Sequence, residues 1–201
     1  MGKTLCRALG LLILTILLWI GQIQNAMLTI EPNWSTYYLG ESVSFRCDMT
    51  EGEDNDWEYH INRKSQDHFP YNSHKSYTLE PLYKTEFQCC GHRRIFNKTK
   101  CSNTVFVTVS VNKPRATLRA DSTTIPLGGS VTLSCSVKTS AGWKYRWFRR
   151  TSDTSEVEVR TNNEENRDIS VTQGGIYRCL GVRGNPDFYT EISNEETIEI
   201  K

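Results

Sequence analysis

An all-β chain of two tandem sandwich domains is predicted by three features of the sequence: an internal repeat, period-two apolar patterning, and cysteines at matching places in each repeat. Leu39-Gly40-Glu41-Ser42-Val43-Ser44-Phe45-Arg46-Cys47 aligns with Leu127-Gly128-Gly129-Ser130-Val131-Thr132-Leu133-Ser134-Cys135. Val43, Phe45 and Cys47 share one face, as do Val131, Leu133 and Cys135, which marks a half-buried strand in each copy. Trp57 to Lys64 aligns with Trp143 to Arg150, and Glu86-Phe87-Gln88-Cys89 with Ile176-Tyr177-Arg178-Cys179. Ser102-Asn103 leads into Val105, Val107, Val109 and Val111, as Ser193-Asn194 leads into Ile198 and Ile200. The repeats run over 27–112 and 113–201, each the length of a seven-stranded sandwich. The boundary falls near Val111-Asn112-Lys113-Pro114-Arg115, where Pro114 cannot donate a ladder hydrogen bond.

The second repeat carries the immunoglobulin-like signature in full. Cys135 and Cys179 are placed to bridge two sheets, and Trp147 stands where a strand-C tryptophan packs on that bridge. Tyr177, two residues before Cys179, is in the tyrosine-corner position. Closing a loop of this length is worth about 4 kcal/mol. The first repeat differs: Ile61 takes the place of the core tryptophan and Phe87 that of the corner tyrosine. Of the adjacent Cys89 and Cys90, one faces the core. Cys47–Cys89 with Cys90–Cys101 puts Phe87 in register with Tyr177; Cys47–Cys90 with Cys89–Cys101 is the alternative. A Cys90–Cys101 bridge across one hairpin is worth about 3 kcal/mol.

Residues 1–26 read as a secretory signal peptide, with an uncleaved signal anchor as the alternative. Lys3 and Arg7 precede the apolar run Ala8–Ile20, which is shorter than the ~20 residues of a membrane span. No second apolar run follows, so no membrane span is expected in the mature chain. Removal of the signal also removes Cys6, leaving six cysteines, an even number that suits an oxidising compartment. The sequons Asn33-Trp34-Ser35 and Asn97-Lys98-Thr99 fit the same compartment. A secreted or extracellular location follows, on the outer side of the plasma membrane if an anchored form exists. Loss of Lys3 and Arg7 takes the formal charge from +1 to −1, which gives no electrostatic reason to expect nucleic acid as a partner.

Catalysis is not expected. His60, His68, His74 and His92 make no metal-ligand spacing, Cys89-Cys90 is no C-x-x-C pair, and nucleophile-elbow, phosphate-loop and zinc motifs are absent. No cofactor, metal or small-molecule substrate is implied. A protein ligand is, because sandwich loops cluster at the ends of a rigid frame. In the second repeat these are Thr139–Lys144, the stretch from Ser152 to Glu164, and Val182–Phe188. Trp143, Lys144, Arg183, Asn185 and Phe188 are the candidate contacts, since exposed aromatic and arginine side chains dominate interface energetics. For Trp143 the alternative is packing at the rim of its own domain or on the linker. For Lys144 and Arg183 it is ordinary solvated charge. Tyr145 shares a strand face with Trp147 and is read as core. The basic, partly apolar tip His92-Arg93-Arg94-Ile95-Phe96, beside Asn97, ranks behind these loops.

Over 27–201 the chain resembles the ectodomains of Fc receptors, Fc receptor-like proteins and the leukocyte immune-type receptors of fish. The likeness rests on Lys113-Pro114-Arg115-Ala116-Thr117-Leu118, Leu127–Leu133, Gly142-Trp143-Lys144-Tyr145-Arg146-Trp147-Phe148-Arg149 and Tyr177-Arg178-Cys179-Leu180-Gly181. It implies an immune recognition receptor that grips the immunoglobulin Fc region through the second-domain loops just named. In those receptors a linker tryptophan helps to clamp an Fc proline; Lys113–Leu118 contains none. A soluble adhesion or decoy module, binding a non-immunoglobulin partner or homodimerising, is the alternative function.

Overall fold

The structure, a computed structural model, describes residues 26–63, 71–81, 83–138, 141–152, 154–161, 165 and 167–201. The stretch before Ala26, which the sequence leads one to expect as a signal peptide, and His68, Thr139, Ser140, Asp153 and residues 162–164 lie outside them. Ala26, the expected last residue of the signal, opens the first strand and is fully buried.

Among the described residues, apart from the short 3-10 turns Asp54–Asp56 and Arg94–Phe96, the regular structure consists of strands. In order these are β1 (Ala26–Glu31), β2 (Tyr37–Tyr38), β3 (Val43–Met49), β4 (Glu58–Arg63), β5 (Ser76–Leu79), β6 (Thr85–Arg93), β7 (Lys98–Cys101), β8 (Val105–Val107) and β9 (Val109–Ser110). There follow β10 (Thr117–Ala120), β11 (Thr124–Ile125), β12 (Val131–Ser136), β13 (Lys144–Arg150), β14 (Val157–Val159), β15 (Asp168–Val171), β16 (Gly175–Arg183), β17 (Phe188–Tyr189) and β18 (Glu196–Ile200). Two compact units form. Of the described residues, one takes those within 26–29, Arg46–Lys75 and Gln88–Thr104; the other takes those within Ile30–Phe45, Ser76–Phe87 and Val105–Lys201. The second unit thus groups residues on both sides of position 112.

Within the second unit, β10-β12-β15 forms one sheet and β11-β18-β16-β13-β14 the other, with β17 on β16. The alternation read from the sequence is what closes them. Val131, Leu133 and Cys135 of β12 turn inward, as do Tyr145 and Trp147 of β13 and Tyr177 and Cys179 of β16. Cys135 and Cys179 are joined across the core. Together these are the marks of an immunoglobulin-like sandwich. The Tyr177 hydroxyl donates to Gln173 O at 2.6 Å, which ties the turn before β16 to the backbone. Tyr177→Phe is expected to cost about 1 kcal/mol, read as a lower urea midpoint; an unchanged midpoint would show the corner to be energetically idle. The expected linker is partly taken into this sandwich, since Pro114 O accepts from Glu191 N at 2.8 Å and Ala116 N donates to Glu191 O at 3.1 Å. The same unit pairs β2 with β9 in parallel and β8 with the start of β6. Phe45 and Phe87 meet there with ring centroids 4.3 Å apart.

In the first unit, β4-β6-β7 forms a sheet in which Cys90 lies opposite Cys101. The bridges are Cys47–Cys89 and Cys90–Cys101. Trp57, Tyr59 and Ile61 alternate into the core. Burial first, then the nearby Asp54 carboxylate, hold the Tyr59 hydroxyl up to about 12. Because this pKa is raised by folding, the unfolded chain ionises first. The contribution of Tyr59 is complete below pH 10 and is lost as the pH rises towards 12. Alkaline unfolding is therefore expected in that window, with late phenolate absorbance accompanying loss of the circular dichroism signal. Complete phenolate formation near pH 10 with native dichroism would contradict it.

Candidate recognition surface

The residues expected to contact a ligand come from the end of β16, the start of β13 and the turn between β16 and β17. The register explains their proximity: Lys144 lies opposite Val182, and Arg183 opposite Phe188. Arg183 shares parity with Tyr177 and Cys179, so the strand turns its side chain towards the interior rather than to solvent. Its side chain is 0% exposed.

A polar cage surrounds it. Arg183 Nε and Nη2 donate to the Glu41 carboxylate at 2.6 and 2.7 Å, the bidentate geometry of a strong charge-assisted pair. Nη1 donates to Ala141 O at 2.9 Å and Nη2 to Thr36 O at 3.0 Å. Glu41, itself buried, also accepts from Tyr38 N at 2.7 Å. The flat faces of the guanidinium are covered by aromatic rings. Its central carbon is 3.9 Å from the Trp34 ring centroid and 4.3 Å from that of Trp143, within cation–π range. Tyr38 stacks on Phe188 at 5.8 Å with the rings 4° from parallel, and Trp143 tilts against both. Gly142 lets Trp34 approach: its φ is +85°, and a Cβ there would lie 2.6 Å from Trp34 Nε1.

This corrects the expectation for Arg183, which is neither a ligand contact nor a solvated charge but the centre of a buried ion pair. Trp143 is half-buried against Arg183 and Tyr38, and Phe188 is half-buried on Tyr38 with Lys113 Nζ 5.9 Å from its ring centroid. What remains outward is Lys144, with half its side chain exposed and its Nζ 3.6 Å from Glu165, and the turn Gly184–Asp187, which includes Asn185. Trp34, Tyr38 and Glu41 were not among the candidates. The one sequence signal was that Glu41 stands where the repeat has Gly129.

The first unit holds a smaller version of the same arrangement. Arg93, which aligns with Arg183, lies 5.8 Å from the ring of Trp57, which aligns with Trp143, and it pairs with Asp56. Phe96 also lies against it, with its ring centroid at 4.6 Å. Asn33 and Asn97 of the two sequons are both exposed. Among the described residues, His60 is buried with Nε2 2.5 Å from Asn62 Oδ1, and His92 Nδ1 lies 3.0 Å from Thr99 Oγ1.

No protein-family model matches the chain, and no curated protein does. In fold it is similar to the three N-terminal domains of the Highly Immunogenic Outer Capsid protein (Hoc) of bacteriophage RB49, with 11% identity, 87% of this chain and 59% of that one covered, and a TM-score of 0.51. The chain therefore spans 59% of the length of that relative. Further similar structures are murine CEACAM1b, at 13% identity over 88% of this chain and 100% of the other (TM-score 0.37), and fibronectin(III)-like modules of Clostridium thermocellum CbhA, at 8% over 87% and 95% (TM-score 0.43). Likeness at these identities is one of fold alone. The class that the strands, the bridge and the tyrosine corner define is the immunoglobulin-like β-sandwich. Among the described residues no helix is long and apolar enough to cross a membrane.

Proposed function

We propose that the chain is an extracellular recognition protein of two tandem immunoglobulin-like domains, 27–112 and 113–201, secreted by way of the signal at 1–26. It binds a protein partner through the exposed Gly184–Asp187 turn and Lys144. The observation that carries this reading is the contrast between the exposed turn and the buried cage that mounts it. Arg183, one residue before the turn, is held by an ion pair, two carbonyls and two tryptophans. A loop fixed in this way has little conformational entropy left to lose on binding.

An immunoglobulin is the first partner to test, on the strength of the family resemblance. The route is unlike a proline clamp, because Trp34 and Trp143 are already filled by the chain's own Arg183. Surface plasmon resonance of the secreted protein over autologous immunoglobulins is expected to show saturable binding. Absence of binding there, with saturable binding to another cell-surface protein or a stable dimer by light scattering, would move the assignment to the adhesion or decoy class.

A further inference from the structure

The hairpin that carries Arg94, Ile95 and Phe96 ends in a surface that the cage of the second unit does not have. Ile95 is 83% and Phe96 61% exposed, side by side at the apex between β6 and β7. Adjacent on the apex, they form a small exposed apolar patch, a surface that a ligand or a covalent modification can cover. The arginines beside them are engaged: Arg93 with Asp56, and Arg94 with Glu58. The Arg93 guanidinium lies over the Phe96 ring, 4.6 Å from its centroid, and with 61% of Phe96 exposed the ring has surface left for a second group.

The next residue is Asn97, the acceptor of Asn97-Lys98-Thr99. It is exposed and adopts the left-handed conformation, φ 45° and ψ 44°, that ends the short turn. We propose that Asn97 carries an N-linked glycan whose first N-acetylglucosamine packs on the exposed surface of Phe96, so that carbohydrate rather than a protein partner covers the hairpin apex. The proposal rests on the secreted reading above. In the transfer step the Asn97 Nδ2 attacks C1 of a lipid-pyrophosphate-linked oligosaccharide. The C1–N bond forms as the C1–O bond to pyrophosphate breaks, and one amide proton is lost.

Aromatic rings present an electron-rich face to polarised C–H groups, and the C–H face of a pyranose is such a surface. Asn33 supplies an internal contrast: the aromatic residue beside it, Trp34, is half-buried between Arg183, 3.9 Å from its ring centroid, and the Tyr37 ring at 5.5 Å, whereas Phe96 is 61% exposed.

The test uses the full chain secreted from a eukaryotic host, with occupancy of both sequons read by peptide mass spectrometry. Thermal midpoints are then compared for the glycosylated protein, Asn97→Gln, Phe96→Ala and the double variant. Asn97 is expected to be occupied, with Asn97→Gln lowering the midpoint by about 3 °C and having no such effect in the Phe96→Ala background. Asn33→Gln should leave the midpoint unchanged. Occupancy at Asn33 with Asn97 bare would overturn the proposal and leave the secreted reading standing. Equal effects of Asn97→Gln in both backgrounds would also overturn it. With neither sequon occupied, the secreted reading falls as well.

Discussion

Arg183→Ala is expected to destabilise the second unit by about 3–5 kcal/mol. The figure follows from what the substitution leaves behind. Glu41 is 1% exposed at its side chain and accepts two hydrogen bonds from Arg183 and one from Tyr38 N. Without Arg183 its carboxylate is buried with a single donor, and the carbonyls of Ala141 and Thr36 each lose a partner. Trp34 and Trp143 also lose the cation between them, a contact worth about 1–2 kcal/mol when desolvated. Glu41→Ala should cost a similar amount, since it strands the guanidinium instead. Replacing both with apolar residues of similar volume, Glu41→Leu with Arg183→Met, should recover most of the loss, because burying the pair was itself costly. Urea denaturation of the four proteins checks this. A single substitution costing under about 1 kcal/mol would mean that water reaches the pair.

Loss of the Cys135–Cys179 bridge ranks with it, at about 4 kcal/mol. The cysteines are separated by 44 positions, so the unfolded chain regains much freedom when they are cut apart. Trp147, 1% exposed, packs in the same core and loses a neighbour. The Cys90–Cys101 bridge closes a separation of 11 and should contribute less, about 3 kcal/mol or below. Paired serine substitutions at each bridge, followed by thermal unfolding, should reproduce that order. A larger loss from the hairpin bridge would show that the chain-entropy account fails here.

Much of the architecture was legible because it obeys a simple period. The alternation of Val131, Leu133 and Cys135, and of Val43, Phe45 and Cys47, placed strands and core faces from the residues alone. The position of Phe87, matching Tyr177, led to Cys89 as the inward cysteine, and the structure joins Cys89 to Cys47. The burial of Arg183 departs from the expectation of an outward contact or a solvated charge, which is the usual state of an arginine beside a loop. Its parity with Cys179 carried the opposite message. The partner could not be inferred locally: Glu41 lies 142 positions away, and a single carboxylate in a turn motif has many possible roles. Trp34 is the middle residue of a sequon in the sequence, and in the structure its ring closes the cage. Polar pairs of high sequence separation leave no periodic trace, which is why the fold was more readable than the site.

The most direct test of the central claim, a buried arginine cage mounting an exposed recognition turn, is to measure partner binding and thermal midpoint together for Lys144→Glu with Asn185→Arg and for Arg183→Ala. The account predicts that the first variant loses at least about tenfold in affinity, or about 1.4 kcal/mol, at an unchanged midpoint, while the second loses both affinity and stability. Full binding by the first variant would contradict it.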